Sequence, residues 1–255
     1  MTNVGEIHTA AGQLALCWTG NAGWLMGTGG LLIGIDLDLR PDGSRLAEPA
    51  ISAEDVAPRL SALFVTHGHG DHFNPHTCRV LAQKSGCLFV LPANCTDAAA
   101  EMGIPDRRIR VAAPRRLFEL LGIHVAPQRA IHGRRDFTVY QGANLDDCGY
   151  LLTIGGKKVF HPGDSVLLAD HLELGHLDVL FISPTEHNMH IERAAFLIES
   201  LQPEHVFPQH YGTYRITDEN RFWTQGYPDE LEAALSETMR ARYHKLDEGA
   251  VFVVQ

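Results

Sequence analysis

Val65-Thr66-His67-Gly68-His69-Gly70-Asp71-His72 places four side chains of metal-ligand type within six residues, at the end of the apolar run 60–66. His67 and His69 are two apart, so on an extended segment leaving a strand they project to the same side. Asp71 and His72 fall where the chain turns into the next element and can face a second point nearby. Gly68 and Gly70 permit the backbone angles that a compact, ligand-dense loop demands. Imidazole nitrogen and carboxylate oxygen together suit borderline divalent cations. The alternative is a surface loop that is histidine-rich by accident. It sits badly with the buried-type strand in front, because catalytic loops characteristically follow such strands.

Outward from this stretch the chain reads first as strands, then as strands alternating with helices. Residues 13–18, 23–27 and 31–35 are short apolar runs, and Gly29-Gly30 suits the tight turn between the last two. Asn74 is placed as an N-cap, Pro75 at the first helical position and Gly86 beyond the end, which predicts a helix. A strand at 88–91, a short helix at 95–102 and strands at 108–112 and 122–127 follow. Residues 150–154 and 157–161 flank Gly155-Gly156, a hairpin signal. The remainder alternates: strand 179–183, helix 191–201, strand 205–208, helix 229–242, strand 250–254. This succession implies an α/β fold of two sheets packed face to face with helices outside. Nothing resembling a linker or a short repeat interrupts it, so residues 1–255 are expected to form one domain.

Composition narrows the function. The formal charge of −10 opposes general affinity for nucleic acid, which needs a basic face. No apolar run reaches the ~20 residues that span a bilayer, so no membrane role is expected. Cys17, Cys78, Cys87, Cys95 and Cys148 are odd in number and lack Cys-x-x-Cys spacing, which fits reduced thiols and a cytoplasmic setting. The N-terminus lacks the basic-then-apolar pattern of a signal peptide. Histidine is in excess, at 15.

His-x-His-x-Asp-His after an apolar strand resembles the signature of the metallo-β-lactamase superfamily. Further motifs follow in that superfamily's order: Ile131-His132-Gly133, Phe160-His161-Pro162-Gly163-Asp164-Ser165 and Phe207-Pro208-Gln209-His210-Tyr211-Gly212. The resemblance spans roughly 14–254 and implies a four-layer αβ/βα sandwich. It also implies that His67, His69 and His132 hold one metal, that Asp71, His72 and His210 hold another, and that Asp164 lies between them. Asp36 resembles an early strand-end aspartate that supports the ligands from behind; a simple turn carboxylate is the alternative. Trp18-Thr19-Gly20-Asn21-Ala22-Gly23-Trp24 and Gly149-Tyr150-Leu151 resemble the L-ascorbate-6-phosphate lactonase-like group. The segment Thr185-Glu186-His187-Asn188-Met189-His190 departs from that group's pattern, which leaves the substrate open.

The expected chemistry is hydrolysis by a hydroxide bridging two divalent ions, Zn or Mn, with no Ser/His/Asp nucleophile. Asp71 and His187 are the candidate catalytic side chains. His187 lies just past strand 179–183, where it can meet substrate or move a proton; a plain loop histidine is the alternative. Arg134 and Arg135 follow His132, and Arg215 follows His210, so these arginines are candidates for binding a small anionic substrate such as a sugar-phosphate lactone. Solvated arginines paired with Asp136, Asp146 or Asp147 are the alternative. His161 reads as a packed strand-end histidine. The partner is expected to be a small molecule, and a homo-oligomer is compatible with the sequence. Rival readings are a phosphodiesterase or nuclease of the same fold, a secreted β-lactamase, an iron redox enzyme and a metal-binding protein without catalysis. The first lacks an added RNA-binding domain, the second a signal, and the electron-transfer form of the third a carboxylate where His69 stands.

Overall fold

A computed structural model describes residues 7, 9–10, 12–134 and 144–255. The first sheet holds β1 (Leu14–Gly20), β2 (Gly23–Thr28), β3 (Leu31–Ile35), β4 (Ala62–Phe64), β5 (Leu88–Pro92) and β6 (Ile109–Ala112). The second holds β7 (Phe118–Leu120), β8 (Ile123–Arg129), β9 (Cys148–Ile154), β10 (Lys157–His161), β11 (Val179–Ile182) and β12 (His205–Pro208). A last strand, β13 (Val251–Val254), returns to the first sheet, whose spatial order is β13-β1-β2-β3-β4-β5-β6. The order in the second is β12-β11-β10-β9-β8-β7. Each sheet is mixed. β13 to β3 are antiparallel and β3 to β6 parallel; β7 to β10 are antiparallel and β10 to β12 parallel.

The pattern of apolar residues explains the layering. β1 and β2 are buried at every position, as strands covered on both faces must be. Trp18, Trp24, Phe64, Tyr150, Phe181 and Phe207 fill the space between the sheets. The Trp24 ring lies 4.3 Å from that of Phe181 and 5.3 Å from that of Phe207. α1 (Ala53–Val56), α2 (Pro75–Lys84) and α3 (Thr96–Glu101) lie in the first half of the chain, and their buried side chains share a core with the first sheet. α4 (His190–Leu201), α5 (Arg221–Thr224), α6 (Pro228–Ala234) and α7 (Glu237–Arg240) lie in the second half. Buried side chains of α4, α6 and α7 share a core with the second sheet. The result is the expected sandwich of two mixed sheets between helical layers.

Local signals set most boundaries. Asn74 Oδ1 accepts the Thr77 amide at 3.0 Å and starts α2. Gly29 and Gly30, at φ +53° and +87°, make the turn between β2 and β3. The single helix expected at 229–242 is corrected: it is two. Leu235 is extended at ψ 155°, and Ser236 then caps α7 by accepting the Met239 amide at 3.3 Å. A serine that can satisfy free helix-start amides makes a second start cheap. Among the described residues, no helix is long and apolar enough to cross a membrane. Asp36, the histidine loop, Asp164, His187 and His210 all follow the C-terminal ends of strands in the parallel parts of the two sheets. That is the rim where open α/β sheets gather ligands.

Candidate metal centre

The centre is built on Asp36 and Thr66. Asp36 is fully buried and sits at φ +48°, a strained angle for a non-glycine residue. Its carboxylate accepts the Thr66 amide at 2.8 Å, the Thr66 hydroxyl at 2.7 Å and His72 Nδ1 at 2.8 Å. The Thr66 hydroxyl spends its proton on Asp36, so its oxygen is free to accept His67 Nδ1 at 3.0 Å. Each contact fixes a ring and leaves its Nε2 lone pair facing away from the support. His132 is fixed the same way, donating from Nδ1 to the Gly133 carbonyl at 2.5 Å.

The side chains marked in the sequence as ligands converge. Donor atoms of His67, His69 and His132 form one group, and those of Asp71, His72 and His210 another. Within each group the atoms lie within 4.8 Å of one another, and Asp164 falls in a further group with His67 and His72. Asp164 Oδ1 is 2.9 Å from His210 Nε2 and 3.5 Å from His72 Nε2; its Oδ2 is 3.6 Å from His132 Nε2. Among the described residues, His72 Nε2, His132 Nε2 and His210 Nδ1 are buried without a hydrogen-bond partner. Of these, His72 Nε2 and His132 Nε2 lie beside Asp164, and unsatisfied buried nitrogens beside a carboxylate are what a nitrogen- and oxygen-ligated divalent cation would satisfy. The residues fit such ions.

Electrostatics point the same way. Burial holds His67 well below the ordinary imidazole range, and it lowers His132 to about 4. Burial also opposes charge on His72, but Asp164, Asp71 and Asp36 outweigh it and hold that ring well above its ordinary value. Burial alone would raise Asp164; His210 and His72 overcome it and keep the carboxyl well below its usual range. Asp71 is lowered by His72 and His210 against the same burial. Neutral His67 and His132 and ionised Asp71 and Asp164 are in the protonation states that ligate metal, whereas His72 has to give up the proton those carboxylates hold on it when an ion binds.

A cavity of about 580 Å³ opens beside His67, His69 and His132, with Asn94, Arg134, Asn144, Asp147 and Phe222 on its walls. A smaller one, about 290 Å³, lies against Asp71, Asp164 and His187 and is bounded by Phe222 and Trp223. Arg134 therefore borders the centre. Arg215 does not line either cavity: it is exposed, on a segment whose amide bonds Ser44 at 2.8 Å. Its sequence distance from His210 is spent on a turn that leads away. Arg135 and Asp136 lie outside the described residues. His161 is buried between the Ala22 carbonyl, 3.0 Å from Nε2, and the Gly163 amide, 3.1 Å from Nδ1. It packs at its strand end as the sequence suggests.

The sequence reading missed Asn21. Its amide nitrogen Nδ2 donates to Asp71 Oδ2 at 3.0 Å, and its carbonyl accepts the His210 amide at 3.0 Å. It sits at φ +50° in the turn between β1 and β2, where its side chain can reach sideways. Asn94 and Asp147, joined at 2.9 Å, and the Phe222-Trp223 pair were also missed. They come from separate elements and share no motif.

The chain is similar to known proteins. A UPF0173 metal-dependent hydrolase of Pelotomaculum thermopropionicum is 29% identical over 243 residues, 92% of this chain and 98% of that protein. A metallo hydrolase from Ignicoccus hospitalis superposes with a TM-score of 0.73 at 20% identity, covering 95% of this chain and 99% of that one. CmlA, a diiron β-hydroxylase from Streptomyces venezuelae, superposes with a TM-score of 0.71 at 14% identity, covering 95% of this chain and 54% of that one. The two structures share the fold, and a fold hosts more than one chemistry. The family model for the beta-lactamase superfamily domain matches residues 34–211, which hold all seven side chains of the two donor groups and Asp164. By that match the chain belongs to the metallo-β-lactamase superfamily.

Proposed function

We propose that this chain is a metal-dependent hydrolase acting on a small anionic ester or lactone. The observation that carries the reading is the convergence of two donor groups on the two oxygens of Asp164, beside an open cavity. His67, His69 and His132 would hold one divalent ion; Asp71, His72 and His210 would hold a second; Asp164 would serve both. Zn and Mn both suit this donor set. Bound there, such ions supply an activated water and a Lewis acid for the attacked carbonyl. The protein supplies the rest. Asp36 and Thr66 hold the rings so that no reorganisation is needed during reaction. Asn21 orients Asp71, and Phe222 and Trp223 limit water at the smaller cavity. Arg134, on the wall of the larger one, would pair with a substrate carboxylate or phosphate. The similarity to UPF0173 hydrolases supports the reaction class, and the lactonase-like motifs support the substrate class.

The test is elemental analysis together with a panel of anionic and neutral lactones, phosphodiesters and β-lactams. Two equivalents of Zn or Mn per chain are expected, with hydrolysis lost on chelation and restored by metal. Arg134→Ala should raise KM several-fold for an anionic lactone and leave a neutral one little changed. Full activity in demetallated protein would overturn the reading.

A further inference from the structure

Asp164 divides the surrounding histidines between its two oxygens, and the division includes one that the ligand motifs do not name. Oδ1 faces His210 and His72. Oδ2 faces His132 Nε2 at 3.6 Å and His187 Nε2 at 2.9 Å. His187 Nδ1 meets the Phe222 carbonyl at 2.8 Å. A carbonyl oxygen only accepts, so the N–H of the neutral ring is spent there and Nε2 carries a lone pair. That lone pair points at a carboxylate oxygen, which is also an acceptor. Two acceptors held this close inside a protein need either a second proton on the ring or a metal cation at the contact.

The arrangement is built, not incidental. His187 is 3% exposed, and its ring centroid is 4.9 Å from that of His132. The two loops meet back to back, so closely that a Cβ on Gly133 would lie 1.4 Å from the His187 carbonyl oxygen. Donor atoms of His132, Asp164 and His187 lie within 4.8 Å of one another. Building on the two-cation reading above, we propose that His187 is a further ligand to the ion held by His67, His69 and His132. Its Nε2 is turned onto Asp164 at the border of the smaller cavity.

Co2+ loading of the full chain tests this without an activity assay. A histidine bound to Co2+ through one nitrogen shows a strongly shifted signal from the N–H on the other. His67, His69, His72, His132, His187 and His210 should give six such signals in the wild-type protein. His187→Ala should lose one of them and bind one Co2+ roughly 10–100-fold more weakly. Unchanged affinity for the other ion would show that the variant folds, and His187→Gln provides a second variant with the same expectation. Five signals in the wild-type protein, or variants with unaltered affinity for both ions, would overturn the proposal. Failure of the wild-type chain to take up two Co2+ ions would instead overturn the two-cation reading, and this proposal with it.

Discussion

Asp36 shows how one buried carboxylate can determine a centre it does not itself line. Three donors end on it, and two belong to Thr66, which in turn fixes His67. Asp36→Ala is expected to strand the Thr66 amide and free both the His67 and His72 rings. The cost should be about 3 kcal/mol or more in stability, and roughly 10–100-fold in metal affinity. Thermal melts and competition with a chelator measure the two effects. Equal metal affinity in the variant would show that the rings hold themselves. At this scale the convergence of the candidate ligands was readable because each sits in a short motif with chemical meaning. Asn21 was not. Its role depends on a turn angle and on Asp71 arriving from another strand, and neither is written in adjacent residues.

Elements position these side chains through loop geometry, and the contact between the His132 and His187 loops is the tightest. Gly133→Ala would place a Cβ against a backbone oxygen that no rotamer change can move. The expected outcome is a loss of about 3 kcal/mol, at the upper end for overpacking, with weaker metal binding, read by melts and metal titration. A variant as stable as the wild type would mean the loops can slide apart. Strand positions were legible from apolar runs, since β1, β2 and β11 are buried throughout. The break between α6 and α7 was not, because residues 229–242 keep helical composition across it. α5 has only four residues, too few to show a period, yet it carries the Phe222 carbonyl that orients His187.

For the whole molecule, buried histidines away from the metal centre set the response to acid. His171 is fully buried and receives the Leu168 amide at 3.4 Å on Nδ1. Burial lowers it from 6.5 to about 4. Above pH 6.5 folded and unfolded chains both carry it neutral. As pH falls from 6.5 toward 4, only the unfolded chain takes up the proton, so stability drains across that window, by at most about 3 kcal/mol from this residue. His171→Gln should therefore be less stable at pH 7 but show a shallower decline between pH 6.5 and 4, by about one proton's slope. Urea unfolding at several pH values measures it; parallel slopes would remove His171 from the account. The overall architecture was the most legible level, because the order of motifs and the alternation of elements agree. The pairing of β13 with β1 was less so, since it joins residues more than two hundred positions apart.

That pairing has a bearing on synthesis. β1 is made more than two hundred residues before β13, so the first sheet has an unpaired border while everything between them is synthesised. The waiting segment, Leu14–Gly20, is seven residues with every one destined for the interior. An apolar strand with an open edge is the kind of surface that neighbouring nascent chains adhere to. Translation of β13 is then the moment at which the β1 border is covered.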